Sequence, residues 1–152
     1  MKRAVQTMEP LASMLGLGYS VDERFRERMN LEKDMDPQLF FKDWTRACQH
    51  RNYVPLGGRS SSVTGAEFKT AVMDLLETYA TIVISSHGGG AVDFLRTLFG
   101  DVSVERAFPS VIEKGLPSCG ITHVTYEQGA WSLVSIGNTE HLEEQYKTAH
   151  KL

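Results

Sequence analysis

Ile82-Val83-Ile84-Ser85-Ser86 runs into His87, three glycines follow at 88–90, and Ala91-Val92-Asp93-Phe94-Leu95 begins an amphipathic pattern. A β-branched run that ends on an imidazole and opens into a helix through glycines is suited to holding an anion. Glycines let backbone N–H groups approach closely, the helix N-terminus carries partial positive charge, and an imidazole can donate to a phosphoryl oxygen. The competing reading makes His87 a turn residue bonded to a backbone carbonyl, with the glycines serving only the turn. Ser85 and Ser86 beside His87 do not make a hydrolase dyad. Residues so close in sequence rarely present nucleophile to base, and no Gly-x-Ser-x-Gly elbow is present.

The elements that must position this turn follow from periodicity. Ala4, Met8, Leu11 and Leu15 recur at helical spacing over residues 3–15, with Pro10 inside the pattern and Gly16 as its stop. A short extended piece is expected around Ser20–Phe25. Residues 37–50 form a helix with Leu39, Trp44 and Cys48 on one side. A longer helix is predicted over 64–80, where Phe68, Val72, Leu75, Leu76 and Tyr79 form a stripe and Thr64 with Glu67 reads as a capping box. Thr81–Ser85 reads as a strand covered on both faces, and helix 90–99 follows it. Finally "ITHVTY" and "WSLVSI" flank "EQGA", a glycine-containing hairpin. Strands alternating with helices, then a hairpin, predict an α/β fold: a three-layer αβα domain around a mixed, mostly parallel sheet.

Composition limits the function classes. The 152 residues fit a single domain, and 41% hydrophobic with 23% charged residues is ordinary globular content. A formal charge of −3 leaves no basic footprint for nucleic acid. No apolar run approaches the roughly 20 residues that span a bilayer, so no membrane partner is expected. Cys48 and Cys119 are too few for a disulfide framework, which points to a reducing cytoplasm. Cys119 reads as a small buried hydrophobe, Arg59 as a mobile loop arginine, and Asn138 or Thr139 as the cap of a last helix.

Four segments occur in a particular order: "KRAVQTMEPLA" (Lys2–Ala12), "DERFRER" (Asp22–Arg28), His87-Gly88-Gly89, and "WSLVSIGNTEHL" (Trp131–Leu142). Together they resemble the histidine phosphatase superfamily in its phosphoglycerate mutase-like branch. The resemblance implies that Arg3, His87 and Gly88 bind a phosphoryl group, that Glu27 is the acid serving the leaving group, and that His87 is the second catalytic histidine. In that chemistry a neutral histidine attacks phosphorus and forms a phosphohistidine. Arginines and the second imidazole stabilise the equatorial oxygens, and a carboxylic acid protonates the departing alkoxide. No metal or cofactor is needed. A phosphatase, or less readily a mutase, is implied, acting on a phosphorylated small molecule or phosphoprotein.

The sequence departs from the family at one decisive place. The nucleophile belongs to an Arg-His-Gly triplet upstream of the segment containing Arg3, and none of His50, His87, His123, His141 or His150 stands in such a triplet. The expectation is an N-terminally truncated chain that lacks one central strand and does not turn over alone. The alternative is a non-catalytic remnant that binds phosphorylated ligands or a protein partner. A homodimer paired along the bare sheet edge is a further expectation. Arg59 in Gly57-Gly58-Arg59-Ser60 replaces a glutamate of the family pattern, and residues 30–60 carry no substrate signature.

Overall fold

Helix ends in this chain are set by caps more than by the apolar stripes between them. The computed structural model describes residues 2–146. Helix α1 (Lys2–Leu15) contains Pro10 and stops at Gly16, whose φ of 63° is left-handed. There Leu17 N–H donates to the Ala12 carbonyl and Gly16 N–H to that of Ser13, a Schellman ending. A 3-10 turn, Glu23–Phe25, replaces the expected extended piece, because the Asp22 carboxylate accepts from Arg24 N–H and closes it. Helix α2 (Pro37–Gln49) begins with Asp36 as cap and proline at its first position.

Helix α3 is Ser61–Leu76, three residues earlier than the sequence suggested, and it stops before Tyr79. Ser60, not Thr64, is its cap, accepting from Val63 N–H. Glu67 is not free for a capping box because it pairs with Arg59. That pair also corrects the picture of Arg59 as a mobile residue. Helix α4 (Gly88–Phe99) starts two residues before the predicted 90 and ends at Gly100, φ 77°. Two short helices follow, α5 (Asp101–Ala107) and α6 (Val111–Lys114).

The class is α/β, with a smaller sheet than expected. Among the described residues it is one antiparallel hairpin, β1 (Ile121–Glu127) with β2 (Ala130–Asn138), rather than a mostly parallel sheet. Glu127 faces Ala130 across Gln128 and Gly129, both at positive φ, which is the two-residue turn that matches strand twist. Thr81–Ser85, expected to be a covered strand, is assigned to no strand and joins no ladder, and Val83 is 61% exposed. A β-branched run favours an extended backbone, but a strand also needs a neighbour. Cys119, expected to be buried, is exposed at φ 57°. Asn138 caps no helix; its side chain accepts from Glu140 N–H in a turn.

Helix α4 is the hub. Val92, Asp93, Phe94, Leu95 and Arg96 are buried in succession, so every side of the helix is covered. Val92 and Leu95 pack with Val104, Val111 and Leu116 under the hairpin. Phe94 joins Phe68 and Val72 of α3. Aromatic rings run in edge and face contacts from Phe25 through Phe68 and Phe94 to Trp131 and Tyr126. That chain of rings ties the loop carrying Glu27 to the hairpin. Gly65 lets α3 and α4 touch, since a Cβ there would overlap the Asp93 carbonyl and Thr97. No described helix is long and apolar enough to cross a membrane.

Candidate active site

The loop after the 3-10 turn lies against the glycine turn at the head of α4. Arg24 bridges Asp22 and Asp74 of α3, and the Phe25 ring stacks edge-on against Phe68 at 4.7 Å. Ser86 Oγ donates to the Phe25 carbonyl at 2.7 Å, fastening the segment before His87 to the same loop. Gly90 makes a close approach there: a Cβ would stand 3.1 Å from the Arg26 carbonyl.

Glu27 is thereby placed against the turn. Its Oε2 accepts from Gly89 N–H at 3.0 Å and its Oε1 from Arg28 N–H at 2.9 Å. The carboxyl is buried, and burial raises its proton affinity above the usual glutamate range despite those two donors and the Arg28 charge. Gly89 admits no side chain: a Cβ would lie 2.5 Å from Glu27 Oε1 and 2.7 Å from Trp44 Cη2. The Gly89 N–H, expected in an anion cradle, instead holds the acid in position.

His87 precedes α4 in an extended conformation, and its carbonyl accepts the first helical bond from Ala91. The imidazole makes no capping hydrogen bond and, among the described residues, no other, which disfavours the bonded turn-histidine reading. It is 8% exposed, and burial followed by the positive charge of Arg3 lowers its pKa from 6.5 to about 4. The ring is therefore neutral at pH 7. Gly88 is the first residue of α4, and among the described residues its N–H has no acceptor. A Cβ on Gly88 would make ordinary 3.6 Å contacts with Leu116.

Arg3, in the first turn of α1, shares a cleft of about 530 Å³ with Glu27. Met29, Leu31, Phe40 and Trp44 supply its apolar wall, and Asn30 and Glu32 its remaining polar groups. Of the four residues singled out from the sequence, the cleft is lined by two. Arg3 and Glu27 line one cleft, and His87 and Gly88 adjoin it through the Gly89–Glu27 bond.

Behind the cleft lies a charge network that sequence reasoning missed. Arg28 Nη1 donates to both Asp93 oxygens, at 2.8 and 3.0 Å, with both side chains buried. Ser61 Oγ donates to Asp93 Oδ1, and Arg96 continues the network to Asp101 through two bonds of 2.9 and 2.7 Å. Burial raises the Asp93 carboxyl in spite of these partners. The Arg28 guanidinium also covers the Trp44 ring at 4.1 Å and donates to Cys48 Sγ. In "DERFRER" Arg28 looks like one more solvated charge. The usable signal was Asp93 and Arg96, charges at i and i+3 inside an otherwise apolar helix. Among the described residues, no group of three or more His, Cys, Asp or Glu is placed to hold a metal ion.

A family model described as histidine phosphatase superfamily (branch 1) matches residues 1–139. No curated protein matches the sequence. Among solved structures, the chain is similar to a mycobacterial glucosyl-3-phosphoglycerate phosphatase in complex with inorganic phosphate. The TM-score is 0.72 at 18% identity, covering 93% of this chain and 75% of that one. At that identity the likeness speaks for the fold.

Proposed function

The chain belongs to the histidine phosphatase superfamily, and on that premise we propose that the cleft lined by Arg3 and Glu27, with His87 beside it, is the phosphoryl site of a phosphomonoester phosphatase. The observation that carries the reading is the Glu27 carboxyl, buried and fastened to the turn that begins at His87. A carboxyl with raised proton affinity is suited to protonating a departing alkoxide near neutral pH. Neutral His87 and the Gly88 N–H donate to phosphoryl oxygens, and Arg3 offsets their charge.

In the full reaction of this proposal a second imidazole attacks phosphorus and forms the phosphohistidine. Residues 1–152 contain no Arg-His-Gly triplet. Among the described histidines, His50 caps the end of α2, His123 is in β1 and His141 follows β2, and none of the three is a lining residue of the cleft. We therefore read the chain as given as a phosphoryl-binding site that does not turn substrate over by itself. Calorimetric titration with inorganic phosphate tests this. Binding is expected, and His87→Ala should weaken it about 10- to 100-fold, the range for losing a hydrogen bond to a charged group. Binding indifferent to His87→Ala would sink the site. Steady phosphate release from phenyl phosphate by a contaminant-free preparation, abolished by His87→Ala, would overturn the non-catalytic reading and leave the phosphatase assignment standing.

A second proposal concerns assembly. Residues 82–86 form no backbone hydrogen bonds among the described residues, and Val83 is exposed. Two copies of the chain can pair along this segment. Sedimentation at rising concentration tests it, and a monomer throughout would refute it.

A further inference from the structure

The cleft is larger than a phosphoryl group requires, and its far wall has a definite chemistry. We infer that it takes the monophosphate ester of an uncharged aromatic or largely apolar alcohol, with Trp44 as the specificity-determining wall. This rests on the phosphoryl reading of Arg3, Glu27 and His87 given above. A volume near 530 Å³ is that of a small-molecule site. Beyond Arg3 and Glu27 the lining is Met29, Leu31, Phe40 and Trp44, with Asn30 and Glu32.

Trp44 is a fixed surface. Arg28 lies over its ring at 4.1 Å, and Arg28 is itself held by the buried Asp93. Phe40 stacks beside it with ring centroids 6.1 Å apart. The Cη2 edge reaches the Gly89 position, where Glu27 is fastened. Aromatic surface therefore begins at the reacting end and continues outward through Phe40. A planar or apolar ester group loses little mobility in meeting a wall already immobilised by its neighbours.

The charges of the lining exclude another class. Arg3 is the one cation among the lining residues, and the phosphoryl group claims it. A second anionic group on the substrate would find no further lining cation and would meet the exposed Glu32 carboxylate, a like charge. Carboxylate-bearing and doubly phosphorylated esters are disfavoured on that ground. Polyol esters would gain bonds to Asn30 and Glu32 but leave the apolar wall badly matched.

The test is calorimetric titration of the chain with inorganic phosphate, phenyl phosphate, glycerol 3-phosphate and phosphoglycolate. Phenyl phosphate is expected to bind at least about tenfold tighter than inorganic phosphate, from burial of the ring. Phosphoglycolate, which adds a carboxylate, should bind no tighter than inorganic phosphate. Trp44→Ala should bring the phenyl-to-inorganic ratio towards one. Leu31→Glu, at a wall position that is 48% exposed and outside the core, should lower the same ratio without endangering the fold. A tighter complex with phosphoglycolate or glycerol 3-phosphate than with phenyl phosphate would overturn the inference alone. So would a ratio unmoved by either substitution. Failure of inorganic phosphate and every ester to bind would overturn the phosphoryl reading and this inference with it.

Discussion

Glu27 and Gly89 show how far one residue can determine another. The acid is held by the N–H of a glycine that has no room for a Cβ. Gly89→Ala should push both the carboxyl and the Trp44 edge aside. We expect a loss of about 1–3 kcal/mol, as for overpacking a filled interior, measured by urea denaturation. The proton affinity of Glu27 should fall towards the ordinary range as its burial is relieved, which carbon-detected NMR titration can read. Unchanged stability and an unchanged Glu27 titration would show that the turn has slack the geometry does not suggest. The candidacy of Arg3, Glu27, His87 and Gly88 was legible because their motifs keep order and spacing along the chain. Trp44 was legible only as one apolar position of a helix. Its place against Gly89 arises from packing between α2 and the head of α4.

At the scale of elements, α4 joins the site to the core, and Asp93 is its critical residue. It balances buried Arg28 and accepts from Ser61 at the start of α3. Removing one partner of a buried pair leaves a charge without compensation, so Asp93→Ala should cost about 3–5 kcal/mol. Asp93→Asn should cost less, since an amide oxygen still accepts from Arg28. Denaturant midpoints of the two variants check the order, and equal losses would argue that Asp93 acts through its charge alone and that a retained acceptor does nothing for Arg28. Element types were largely readable: α1, α2, α4 and the hairpin lie close to where periodicity puts them. The start of α3 was misread because Thr64 and Glu67 imitate a cap. In the fold Thr64 is fully buried and Glu67 is taken by Arg59. The run at Thr81–Ser85 was misread as a covered strand, since a strand depends on a neighbour that its own residues do not specify.

For the whole molecule, the buried groups predict opposing responses to pH. The His87 pKa is depressed in the fold, so the unfolded chain binds its proton first as pH falls. Stability is then lost from about pH 6.5 down to about 4, by at most about 3 kcal/mol for a shift of that size. Glu27 and Asp93 act in the other sense. Their raised proton affinities favour the fold in acid, and that contribution fades as pH rises through their folded values. Asp22 and Asp101, held low by Arg24 and Arg96, lose their contribution only in stronger acid. Between pH 6.5 and 4 the melting midpoint of the unsubstituted chain should therefore fall further, or rise less, than that of His87→Gln. An identical pH response in the variant would assign it elsewhere. The sequence by itself determined the α/β class, most helices, the hairpin turn and the ordered motifs, because each depends on neighbours a few positions apart. Only the tertiary structure decided that Arg28 is a buried partner of Asp93, 65 positions away, that Gly89 holds the acid, and that Trp44 walls the cleft. Burial and charge pairing depend on which surfaces meet across the fold, and no local pattern in "DERFRER" or "HGGG" carries that information.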